Sequence, residues 1–104
     1  MNQKQLQKMM AQAQKMQAGV VKAQEELADV RVAGEAADGL VRAVVTGQGE
    51  LVELSISPEA IDPDDVEMLE DMILVAVAKA VSASRELTED RMKAFGIPGM
   101  GGLL

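Results

Sequence analysis

The chain has 104 residues, with 10 Lys+Arg against 17 Asp+Glu, a formal net charge of -7, no His, no Cys, no Trp, no Tyr and one Phe. That composition removes imidazole bases, thiolate nucleophiles and the nitrogen and sulfur ligands that zinc favours, so the reading is of a non-enzyme without cofactor or metal. The length suits one small domain, and 48% hydrophobic content argues for a folded one; a core of Val, Leu, Ile, Met and Ala is thin, which calls for a partner chain.

Residues 3–31 contain no Pro and one Gly, and are rich in the helix formers Gln, Ala, Met, Lys and Glu. Leu6, Ala13, Val20 and Leu27 fall seven apart, and Met9, Met16, Ala23 and Val30 interleave with them. This is an a/d seam over four heptads, on a helix of roughly 40 Å. So narrow a stripe is suited to another helix.

The period then changes to two. Strands are predicted at about 30–36, 40–46 and 51–57, with a turn at Ala37-Asp38-Gly39 and a hairpin at Gly47-Gln48-Gly49. In the last strand Val52, Leu54 and Ile56 are expected on one side and Glu53 and Ser55 on the other. Asp62-Pro63 then reads as an N-cap followed by Pro at the first helical position, opening a helix over 63–93. Its segment 72–78 (MILVAVA) is apolar on nearly every side, so burial on more than one face is expected. Residues 95–104 hold four Gly and one Pro and read as a flexible tail after a single domain, 1–94.

Glu59, Asp62, Asp64, Asp65, Glu67, Glu70 and Asp71 lack the spacing of an EF-hand loop, and helix capping with a solvated acidic face explains them more simply. The glycines at 47–49 and 96–102 lack Rossmann or Walker spacing and read as turn and tail. Charge is more informative. Residues 1–24 carry Lys4, Lys8, Lys15 and Lys22 and no acid, whereas residues 25–104 carry six basic and seventeen acidic side chains. In the heptad frame Lys8, Lys15 and Lys22 occupy c and Lys4 occupies f, opposite the seam and about 10 Å apart at successive c positions. They form a basic rail, or, more plainly, the solvated face of a coiled-coil helix. Seven glutamines between residues 3 and 24 offer donors to phosphates and serve equally as neutral helix filler. With one aromatic, base stacking cannot drive recognition, so any nucleic-acid contact should be to duplex backbone, electrostatic and largely nonspecific.

The N-terminal stretch is polar, without a signal-peptide core, and the longest apolar run has seven residues against the ~20 that span a bilayer. A cytoplasmic protein with no membrane association and no small-molecule substrate is expected.

The chain resembles the YbaB/EbfC nucleoid-associated proteins along almost its whole length. The matching stretches are LQKMMAQAQKMQ (6–17), Gly39-Leu40-Val41, the hairpin at 47–49, Ile56-Ser57-Pro58 and above all EMLEDMI (67–73), with Met92 and the Gly-Pro-Met tail. The resemblance implies an α+β fold, an α-β-β-β-α subunit with long terminal helices flanking a three-stranded antiparallel sheet. It implies a homodimer joined through the sheets, with helices projecting like tweezers. It implies a bacterial, cytoplasmic and nucleoid-associated protein that binds double-stranded DNA, alters its conformation and affects nucleoid organisation and gene expression. The projecting helices are the family's contact surface, which singles out Lys4, Lys8, Lys15, Lys22, Arg85, Arg91 and Lys93 for DNA binding. The seventeen acids keep a second reading open, an acidic homodimeric protein-interaction module with weak or indirect DNA association.

Overall fold

A computed structural model describes residues 2–94. The predicted tail at 95–104 lies outside the described residues.

The first helix, α1, runs over Gln3–Asp29. Asn2 caps it, its side-chain oxygen accepting a hydrogen bond from the Gln5 N–H at 2.9 Å. The helix ends two residues before the expected boundary at 31, because Val30 is extended (φ -75, ψ 142). Arg31 closes that end, its guanidinium donating to the carbonyls of Ala28 (2.9 Å) and Val30 (3.2 Å), a cation at the negative end of the helix dipole.

Three strands follow, β1 (Arg31–Ala36), β2 (Val41–Thr46) and β3 (Leu51–Ile56), in an antiparallel sheet of order β1-β2-β3. Ala37, Asp38 and Gly39 turn the chain between β1 and β2, all three at positive φ. Thr46 organises the second hairpin. Its Oγ1 accepts from the N–H groups of Gln48 and Glu50, both at 3.2 Å, and its carbonyl accepts from Gly49 at 2.9 Å. Gly49 itself sits at φ +84, the left-handed position that a three-residue hairpin loop requires. A bulge between Val44 and Val45 then alters the expected alternation in β3. Leu54 and Ile56 stand opposite Ala43 and Val41, but Leu51, in place of Val52, stands opposite Val45, since a bulge sets two residues against one.

The second long helix, α2, spans Val66–Ala94, after a 3-10 turn at Pro58–Ala60. It starts three residues later than the sequence suggested. Asp62, expected as the N-cap, instead begins a turn: its carbonyl accepts from Asp65 N–H at 3.0 Å and its Oδ1 from Asp64 N–H at 2.9 Å. Pro63 thus occupies the second position of a β-turn, for which its fixed φ is equally suited. Asp65 is the cap, accepting from Met68 N–H at 3.2 Å.

Helix α2 packs across β1 and β2. The core beneath it comprises Ala36, Val41, Ala43, Val45, Ala60, Ala76 and Ala80, with Leu69, Met72, Ile73 and Val77 at its margin. Contact is close because Gly34 of β1 lies directly under the helix, where an added Cβ would collide with the backbone of Ala76 and Ala80. The small residues Gly34, Ala76 and Ala80 let helix and strand approach at backbone distance. Apolar surface stays open in two places around this sheet and helix. One is on β3, where Leu51, Val52 and Leu54 are exposed at the sheet edge; the other is on the outer side of α2, where Leu74 is 67% and Val75 45% exposed. Within the single chain, the segment 72–78 is buried on the face that meets the sheet.

Candidate nucleic-acid interface

The subunit is elongated, 74 × 24 × 17 Å, because α1 meets the body through its last turns alone. Ala23 and Leu27 are its only buried residues, and the seam positions nearer the tip are bare: Leu6 is 50%, Met9 55% and Met16 69% exposed. The root is clasped by the β2–β3 hairpin. Gly47 donates its N–H to the Leu27 carbonyl at 2.9 Å, and Gln48 Nε2 donates to the Gln24 carbonyl at 3.1 Å. Helix α2 grips the same hairpin from its other side, Ser84 Oγ donating to the Thr46 carbonyl and Thr88 Oγ1 to that of Gly47, both at 2.8 Å.

Lys4, Lys8, Lys15 and Lys22 are all exposed on this arm. At 3.6 residues per turn they fall within about 40° of arc and span roughly 27 Å along the axis, some 135° round from the seam. No acid occurs before Glu25, so the column is a continuous band of positive potential.

The three basic residues singled out on α2 do not form a matching band. Arg85 is exposed and lines a cleft of about 630 Å³ between the α1 root and the hairpin, together with Gln24, Gln48 and Thr88. Arg91, seven residues after Ser84 and three after Thr88, lies toward the inner side and is half-buried. Lys93 is exposed, but Glu89 and Asp90 flank it one turn back and Glu86 two turns back, which lowers the local potential. Gln24 is one of the seven glutamines weighed as phosphate donors, but its backbone bond to the Gln48 side chain, 24 residues away, carries no local signal in the sequence. Elsewhere, Arg42 faces Glu35 with Nε 3.7 Å from Oε1, and Arg31 is engaged as the α1 cap. Among the described residues, no three carboxylates converge to hold a metal ion, and no helix is long and apolar enough to cross a membrane.

Comparison with known proteins settles the family. The model of the YbaB/EbfC DNA-binding family matches residues 1–100. The chain belongs to the YbaB/EbfC family. A nucleoid-associated protein of Saccharopolyspora erythraea is 46% identical over 103 residues, covering 94% of this chain and 89% of that protein. One from Streptomyces griseus is 45% identical over 100 residues, covering 94% and 88%. A crystal structure of an uncharacterized protein from Helicobacter pylori has a TM-score of 0.66 at 23% identity, covering 95% of this chain and 99% of that one. The α-β-β-β-α order is therefore the YbaB/EbfC fold, and the family is a DNA-binding one, not an enzyme family.

Proposed function

We propose that this chain is a nucleoid-associated protein that grips duplex DNA through phosphate contacts from α1, without sequence specificity and without catalysis, and that it acts at the nucleoid within the cytoplasm. The observation carrying this reading is the column of four lysines on an arm that has no acid among them and projects clear of the acidic body. Ammonium groups on a straight helix meet phosphates as point charges, and such contacts carry no sequence information. Arg85 joins them at the root of the arm, while Arg91 and Lys93 contribute less. The relatives named nucleoid-associated proteins support the same reading.

A homodimer completes it. Strand β3 presents an open edge with Leu51, Val52 and Leu54 exposed, and an apolar edge of this kind favours pairing with another sheet. Two subunits joined there carry two arms, and a duplex held between them changes its path, with effects on nucleoid organisation and gene expression.

The test is a titration of random duplex DNA with purified protein, intact and with Lys8→Glu, Lys15→Glu and Lys22→Glu combined. The intact protein should bind with steep salt dependence, and the triple variant should lose binding while keeping its dimer mass. Unchanged affinity in the triple variant would overturn the arm mechanism. No binding by the intact protein at ~50 mM salt and micromolar concentration would favour the acidic protein-interaction module.

A further inference from the structure

The lysine face of α1 holds more than lysine. Round the helix, Lys4, Lys8, Lys15 and Lys22 share a sector of about 100° with Ala11, Ala18 and Gly19 and, between residues 4 and 22, with nothing else. Every side chain there is a lysine, a methyl group or a hydrogen. The longer neutral residues stand at its borders, Gln7 and Gln14 on one side and Gln5 and Gln12 on the other. Ala11 and Ala18 are exposed, and Gly19 is half-buried. Gly19 lies between Lys15 and Lys22, about 6 Å along the axis from the first and about 4.5 Å from the second. Among the described residues nothing asks for a glycine there. Its φ is not in the left-handed region, and an added Cβ would meet no atom within 4 Å. A glycine inside a helix nevertheless costs about 1 kcal/mol relative to alanine.

We propose that duplex DNA lies directly against this face, with Gly19 as its point of closest approach, so that Gly19 is a positioning residue for the lysines on either side. This contact rests on the reading of α1 as the DNA-binding arm, and adds to it the distance at which the duplex is held. Lysines that only trailed in solvent could stand among glutamines as well as among alanines, since Gln is also a good helix former. A sugar-phosphate backbone at van der Waals distance could not tolerate them, because each longer side chain would hold it away. Glycine is the residue that lets a ligand come up to the main chain. Over a clear floor the lysine stems lie flat beside the duplex and keep their ammonium groups on its phosphates. Close contact also excludes water from between the charges, which strengthens their attraction.

Gly19→Leu tests the contact, because leucine favours the helix, adds no charge and cannot donate to a phosphate. It is compared with Gly19→Ala and with Val21→Leu, whose site is 46% exposed and about 160° round the helix from Gly19. Helicity by circular dichroism and native mass are checked for each. Against a random-sequence duplex, Gly19→Leu should lose affinity about tenfold or more and lower the slope of log K against log salt by about 1 to 2, as the contacts of Lys15 and Lys22 loosen. Gly19→Ala should lose much less, and Val21→Leu nothing. Native affinity in Gly19→Leu, where the combined Lys8→Glu, Lys15→Glu and Lys22→Glu variant has lost binding, would overturn the close approach and leave the arm reading standing. Equal losses in Gly19→Ala and Gly19→Leu would make the position a point of helix bending, and would overturn it too. Equal losses in Gly19→Leu and Val21→Leu would trace the effect to added bulk anywhere on the arm, with the same consequence. If the triple lysine variant binds normally, the arm reading itself fails and takes this contact with it.

Discussion

Thr88 donates its hydroxyl to the carbonyl of Gly47 across 41 residues, at 2.8 Å, while the N–H of Gly47 donates to the carbonyl of Leu27 at 2.9 Å. One glycine of the hairpin thereby ties α2 to the root of α1. The arm holds its direction through this peptide more than through packing between the two helices.

Replacing Thr88 with Val removes the hydroxyl and keeps the shape. The Gly47 carbonyl then loses that bond, and stability should fall by about 1 kcal/mol. Urea unfolding should show a lower midpoint at unchanged slope. Ser84→Ala should cost a similar or smaller amount, because the Thr46 carbonyl keeps the Gly49 N–H as donor.

Leu27 is 4% exposed and is the largest buried side chain of α1. Leu27→Ala should cost about 2–5 kcal/mol. Limited proteolysis should then cut within α1 well before the sheet is digested, because the remaining anchors are the small Ala23 and the hydrogen bonds at the helix root.

At Gly34 any side chain meets the α2 backbone, which cannot yield as a flexible side chain can. Gly34→Val should destabilise by about 3 kcal/mol or more and leave little folded protein at room temperature. Ala37 is the opposite case. Its φ of 55 is unfavourable for a residue with a Cβ, so Ala37→Gly should raise stability by up to about 1 kcal/mol, read as an increase in the urea midpoint.

The cations on the two helices should differ in DNA binding. Lys15→Gln should lower the slope of log K against log salt by about 0.9, the signature of one lost phosphate contact. Lys93→Gln, at a site crowded by Glu86, Glu89 and Asp90, should change the slope by much less. Filter binding at several salt concentrations measures both.

The order of elements was legible because the hydrophobic period changes from 3.5 to 2 and back, and the lysine column was legible because it follows the same heptads. The start of α2 was misplaced for a local reason. Pro63 after Asp62 fits both a helix start and a turn, and only the Asp65 to Met68 bond decides between them. The bulge that brings Leu51 opposite Val45 leaves no mark in the alternation of β3. The clasp of Thr46, Gly47, Ser84 and Thr88 was not legible at all, since it joins side chains to carbonyls 38 and 41 residues away and has no period. The close approach of Gly34 to Ala76 and Ala80 was likewise not read from the sequence and emerges only from the packing of α2 on β1.

A single residue, Val30, separates the last turn of α1 from the first residue of β1. A connector that short cannot absorb rotation, so the helix behaves as a lever whose fulcrum is the hairpin. About 30 Å of helix lies beyond the first buried residue, and a tilt of 10° at the root therefore carries the tip through roughly 5 Å. Small changes in how Gly47 is held become large changes in where Lys4 and Lys8 reach.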